Sequence, residues 1–339
     1  MTELARWLVV ATLASAASVA FAQEVNVVCG VPITWCETLG TLFQNETGIR
    51  VNMTMRDAND ALAHLAADKS APRHDVWYAG DGTSHAQAAA AALTDAYRSP
   101  RLADLREFAV REAEQTDGHS VGIHAAVLGI AYNARTLARK RLPTPSCWAD
   151  LARTDYRDEL QIANPVSSST AYLMLASLVQ IFGEERAFEL LRGMHANVKA
   201  YQRTGNGPVR ALARGETAVA VTMLHDAAVE VANGFPVTMV VPCEGAGYRV
   251  EAMSVVRGAP HAAEAKRFYD WALAPAAQKI ASDLGHFELP ANRSVTVPPT
   301  APYWTSVTLV PLDARRFEAA GERKRLLEKW DHDVLAHPR

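Results

Sequence analysis

Four hydroxyls in succession, Ser167, Ser168, Ser169 and Thr170, follow Asn164-Pro165-Val166 and precede the apolar helical pattern Ala171 to Phe182. The short extended run Leu160 to Ala163 leads into them. This placement sets hydroxyls and free backbone N–H groups on one helix N-terminus, where four donors lack intrahelical partners and the dipole favours negative charge. One hydroxyl is enough for a cap. The surplus, after a proline that bars its predecessor from helical geometry, points to an anion.

Three further loops carry the same kind of residue. Gly80-Asp81-Gly82-Thr83 lets backbone approach a ligand closely, with Gly80, Gly82 and Thr83 as candidates. Thr204-Gly205-Asn206 offers N–H groups and a hydroxyl as an anion nest. Leu224-His225-Asp226 offers an imidazole and a carboxylate as hydrogen-bonding partners for ligand hydroxyls. Any one of these alone reads as an ordinary turn, and Ser168 alone as a cap. Four at one edge form a site.

Short Val- and Ile-rich runs alternate with longer segments of helical period, the pattern of α/β layers with largely parallel sheets. Val25 to Val28, Ile49 to Met53, Asp75 to Tyr78, Leu160 to Ala163, Val198 to Tyr201 and Ala218 to Met223 are predicted strands. His119 to Asn133 reads as two extended pieces leaving a first lobe, and Pro236 to Cys243 as the return. Ala262 to Ser282 reads as a helix of the first lobe, and Glu318 to Leu335 as a charged amphipathic helix packed across a lobe. In such sheets ligands bind beyond the carboxyl ends of the strands, where all four loops fall.

The N-terminus carries Arg6, an apolar run from Trp7 to Val19 and Ala20-Phe21-Ala22 before Gln23, the pattern of a cleaved export signal. The run is too short and too interrupted for a membrane anchor. A mature chain starting near Gln23 of the 339 residues is long enough for two lobes at about 100–200 residues per domain. The formal net charge of −3 argues against nucleic acid or an anionic membrane as partner. Cys29, Cys36, Cys147 and Cys243 have no zinc spacing, and an even count in an oxidising compartment suggests two disulfides. Three pairings are possible; Cys29 with Cys36 and Cys147 with Cys243 is favoured. No nucleophile elbow, zinc-protease helix or phosphate loop occurs, and adjacent His225 and Asp226 are poorly placed for a triad with Ser168.

Nearly the whole mature chain resembles the type II periplasmic solute-binding proteins of ABC importers, in the ferric-iron-binding branch and closest to its hexose-phosphate-binding members. The resemblance is carried by Val27-Val28-Cys29 through Trp35-Cys36, Gly80 to His85, Cys147-Trp148-Ala149-Asp150-Leu151, Asn164 to Tyr172, Thr204-Gly205, Leu224-His225-Asp226-Ala227, Pro242-Cys243-Glu244-Gly245 and Phe268 to Leu273. It implies an α/β fold of two lobes with a two-stranded hinge and a ligand cleft between them. The expected divisions are an export signal at 1–22, a first lobe from 23–125 and 244–310, a second lobe at 126–243, and a C-terminal helical tail at 311–339.

The same resemblance implies a periplasmic monomer that captures a small phosphorylated anion for an inner-membrane ABC permease, with no cofactor, no metal and no catalysis. Phosphate would go to Ser168, Ser169, Thr170 and the Thr204-Gly205 loop, and the sugar-like body to His225 and Asp226. The rivals are a ferric-iron binder of the same fold and an exported hydrolase. Iron-binding relatives carry adjacent tyrosines; here only Tyr201 and Tyr248 lie near. Sugar-phosphate binders tend to have an acidic residue where this chain has Arg249, which beside Tyr248 implies a second anionic group on the ligand.

Overall fold

The computed structural model describes residues 23–317 and 319–338. Residues 1–22, where an export signal is expected, Glu318 and Arg339 lie outside the described residues. Twelve strands are defined: β1 Glu24–Cys29, β2 Arg50–Met55, β3 Val76–Asp81, β4 Thr94–Asp95, β5 Val121–Asn133, β6 Leu160–Ala163, β7 Val198–Gln202, β8 Val219–Met223, β9 Val237–Val240, β10 Ala246–Val256, β11 Leu289–Pro290 and β12 Leu309–Val310. The main path of pairing runs β2-β1-β3-β10-β5-β8-β6-β7. Outer strands at both ends pair in parallel, whereas β5 and β10 run antiparallel to their neighbours.

That topology follows from where each strand hides its side chains. Strands such as β8 are apolar and buried throughout, as parallel strands covered on both faces must be. The helices between them supply the cover. Two main cores result, beside two smaller clusters: one gathers Val27, Trp35, Phe43, Ile123, Phe268 and Trp304, the other Leu128, Trp148, Tyr172, Phe188, Val219 and Trp330.

The central strand β5 belongs to both. Its first half pairs with β10 from Val121 to Val127, and its second half with β8 from Leu128 to Tyr132. At about 3.3 Å per residue its 13 residues reach roughly 40 Å, enough to serve both cores. The two extended pieces expected at His119 to Asn133 are therefore one strand. Gly122 and Gly129 do not break it but let neighbours close in: a Cβ on Gly129 would lie 2.5 Å from Leu224 Cδ2.

The chain returns through β9, paired with the second half of β5, and β10. A third passage follows, because β12 pairs in parallel with Ala246 and Gly247 and leads from Val307 and Leu309 on the first core to Leu312 and Phe317 on the second. The tail helix Ala320–Trp330 then buries Leu326 and Trp330 in the second core. The helical stretch read from Ala262 to Ser282 is two helices, Ala262–Ala272 and Pro275–Asp283, since Pro275 cannot continue the first and instead opens the second.

Disulfides join Cys29 to Cys36 and Cys147 to Cys243, the favoured pairing. Beside the second, the Glu244 carboxylate accepts from Trp148 N at 2.7 Å and Ala149 N at 3.1 Å. Among the described residues no helix is long and apolar enough to cross a membrane.

Candidate functional site

At the carboxyl end of β6 the chain turns through the serines into the helix Ser169–Phe182. Ser168 is the N-cap, accepting from Ala171 N at 3.4 Å, so its hydroxyl is spent locally. Ser167 Oγ reaches Asn164 O at 3.4 Å and Arg203 O at 3.2 Å. Asn164 N also donates to Gln202 O at 2.9 Å. These bonds pin the serine turn to the loop after β7, the parallel neighbour of β6.

Gly205 fixes how closely the two loops meet. A Cβ there would lie 2.2 Å from Thr170 Oγ1 and 3.5 Å from Ser168 Oγ, so only hydrogen fits. Thr204 Oγ1 is bonded to Asn206 Oδ1 at 3.0 Å. Ser169 is exposed, and from β10 the Arg249 guanidinium donates to its Oγ at 3.2 Å. Ser169, Thr170, the helix N-terminus and Arg249 thus converge as donors suited to a single anion.

The opposite pole is acidic. The helix Leu224–Ala232 starts directly from β8 and holds His225 and Asp226 in its first turn. His225 Nε2 stands 3.8 Å from Asp226 Oδ1 and 3.9 Å from Glu288 Oε1. On β10, Glu251 is in register with His124 of β5 on one side and Asp81 of β3 on the other. Its Oε2 is 3.8 Å from His124 Nδ1. His124 packs on the Trp35 ring at 4.8 Å between centroids and lies 3.5 Å from Tyr78 Oη through Nε2.

Three buried polar atoms here lack a hydrogen-bond partner among the described residues: His124 Nδ1, His225 Nδ1 and Glu288 Oε2. Such atoms are uncommon, and three of them fall within this one group of side chains. Burial pushes the Glu251 carboxyl up to about 7, with Glu288 and Asp81 adding and Arg249 opposing. Burial likewise raises Asp226. For Glu288 burial also works upward, but the His225 and His124 imidazoles outweigh it and hold the carboxyl below its usual range. Burial lowers His124 to about 4, leaving it neutral at pH 7.

The remaining candidates are placed less directly. Asp81 caps the helix Gly82–Ala90, accepting from Ser84 N at 2.9 Å. Gly82 makes its close approach to a protein group, since a Cβ would meet Glu112 Oε2 at 2.7 Å. Gly80 has φ 128° and lies over the Trp77 indole, and Thr83 is exposed. This turn adjoins the acidic pole through the Asp81 to Glu251 register.

Tyr248 is not brought to the cleft. Successive residues of a strand point to opposite faces, and Tyr248 lines a groove with Phe108, Arg111 and Arg293 on the face away from Arg249. Tyr201 is likewise occupied, with its hydroxyl 2.7 Å from His195 Nδ1. Glu251, Glu288, His124, Trp35 and Asp81 were not among the sequence candidates. For Glu251 a signal existed: it follows Arg249 by two residues in an extended run, so the two share a face.

Residues 72–315 match the family described as bacterial extracellular solute-binding protein. The chain belongs to this family. The solute-binding protein is 36% identical over 330 residues to an uncharacterized protein of Haemophilus influenzae, covering 96% of this chain and 95% of that one. It is similar to the periplasmic binding protein AfuA of Actinobacillus pleuropneumoniae, solved with fructose-6-phosphate bound, at 32% identity and TM-score 0.67 over 93% of this chain and 99% of that one. A Bordetella ferric binding protein shares the fold at TM-score 0.75 and 18% identity, covering 92% of this chain and 99% of its own. The solute-binding protein has the two-lobed α/β architecture of periplasmic binding proteins in the ferric-binding-like branch.

Proposed function

We propose that this protein captures a sugar phosphate, or a closely related phosphorylated polyol, between its lobes in the periplasm and delivers it to an inner-membrane ABC permease without chemistry of its own. The observation that carries the reading is the polarity of the cleft. Donors converge at Ser169, Thr170 and Arg249, while Asp226, Glu251 and Glu288 line the other pole. A phosphate suits the first and sugar hydroxyls suit the second. The fructose-6-phosphate held by AfuA supports the assignment.

Arg249 was expected to favour a second anionic group. Its bond to Ser169 supports a place beside the phosphate instead, and the acidic far pole, with the Glu288 carboxyl held below its usual range, favours hydroxyl donors over another anion. The placement of Tyr201 and Tyr248 away from the cleft speaks against phenolate capture of ferric iron. Ser168 Oγ, committed to its cap, is not poised as a nucleophile. Native mass spectrometry of the protein purified from periplasm tests the reading: a released hexose phosphate supports it, and a co-purifying ferric ion or unphosphorylated solute contradicts it.

A further inference from the structure

A second cluster of ligating side chains lies far from the cleft. The cleft adjoins β3 beyond its carboxyl end at Asp81, whereas His74 sits just before that strand begins. There His64, Asp68 and His74 each offer a donor atom, all within 4.8 Å of one another. His64 and Asp68 are four residues apart at the end of the helix Ala58–Ala67 and so share its face, with His64 Nε2 3.6 Å from Asp68 Oδ2. The His64 and His74 rings meet edge to face at 5.2 Å between centroids.

We propose that these three side chains bind a divalent transition metal of the zinc type. The second observation behind this is His74 itself. It is only 7% exposed, and its buried Nδ1 has no partner among the described residues. Its Nε2 is oriented by Thr54 Oγ1 at 3.4 Å. A histidine that ligates through one nitrogen while the other is held by a hydrogen bond is the usual arrangement around a metal.

Asp68 is prepared in the same way. Arg73 donates to Oδ1 at 2.8 Å and to Oδ2 at 3.1 Å, which fixes the carboxylate plane. Each oxygen retains a lone pair for a metal. Bond lengths of about 2.0–2.2 Å let such an ion span donors roughly 3.5–4 Å apart. A small rotation of His64, whose side chain is 28% exposed, closes the set from its present spacing. Two imidazoles and one carboxylate select zinc, copper or nickel over magnesium or calcium, which prefer oxygen donors. Three protein ligands leave water to complete the coordination. The ion would clasp the end of the helix Ala58–Ala67 to the turn that enters β3.

The test is calorimetric titration of the untagged mature protein with zinc chloride, beside His64→Ala and Asp68→Asn. Neither replaces the buried His74, so both variants should keep the fold, as circular dichroism would verify. The expected result is one zinc per chain, no heat with magnesium, and binding weakened at least about tenfold by each substitution. Zinc should also raise the melting temperature of the unsubstituted protein and not that of His64→Ala. Absence of zinc binding, or binding that neither substitution alters, would overturn the proposal.

Discussion

Arg249 lies on β10 in register with Ala126 near the middle of β5, and its guanidinium lands on the hydroxyl of Ser169, the first residue of the helix Ser169–Phe182. A strand that crosses between the cores thus delivers a cation to a helix N-terminus, a place already favourable to negative charge. Such local placement of a cation needs no basic net charge, and the formal net charge here is −3.

Arg249→Ala should weaken binding of a hexose 6-phosphate by about one to two orders of magnitude, from the roughly 1.5–3 kcal/mol of a hydrogen bond to a charged group. Arg249→Lys should restore only part, because a point charge does not reproduce the planar fork. Calorimetry that ranks all three proteins equally would remove Arg249 from the site.

Gly205→Ala probes the meeting of the serine turn with the loop after β7. The added methyl would lie 2.2 Å from Thr170 Oγ1, and the Thr204 loop must then back away from the serine turn. Overpacking of this kind costs about 1–3 kcal/mol in stability. The expected outcome is a modest fall in melting temperature with at least a tenfold loss of phosphate-ester affinity. Unaltered affinity would show that the Thr170 and Gly205 contact does not shape the site.

The acidic pole should be visible in the pH dependence of the ligand-free protein. Glu251 has a folded pKa of about 7 against an ordinary 4.5, so between those values the folded state holds the extra proton. Its contribution is then fully present below about pH 4.5 and is lost as pH rises through 7. Solvent reaches the side chain, which is 41% exposed, and damps the size, so direction is the observable. Glu251→Gln should flatten the decline in melting temperature across this window. Parallel curves for the two proteins would contradict the shift.

Opening the Cys147 to Cys243 link with paired serine substitutions should lower stability by about 4–5 kcal/mol on the chain-entropy model, since the bridge spans 96 residues. Opening Cys29 to Cys36, which spans 7, should cost less. Denaturant unfolding of the two double variants makes the comparison, and an equal loss would reverse this ranking.

The sequence made the serine turn legible because its hydroxyls are consecutive and follow a strand, so spacing alone sets them on one helix end. The facing pole is spread over separate segments, with Asp81, His124, Glu251 and Glu288 brought together only by the pairing of β3, β10 and β5 and by β11 beside β5. No spacing connects those residues along the chain. The continuous course of β5 was hidden because Gly122 and Gly129 look like interruptions, whereas each admits a close neighbour. The third passage was hidden because β12 has two residues, too few for any alternation to show. Tyr248 was misplaced for want of strand parity, the same rule that would have found Glu251.

Calorimetric titration of the mature protein with a hexose 6-phosphate, the unphosphorylated hexose and inorganic phosphate in parallel separates a cleft with two working poles from one with a single pole. A ligand that engages both poles must bind more tightly than either of its halves, and the expected result is at least about a hundredfold preference for the ester over each. Equal affinity for the ester and for free phosphate, or no binding of the ester at all, would contradict it.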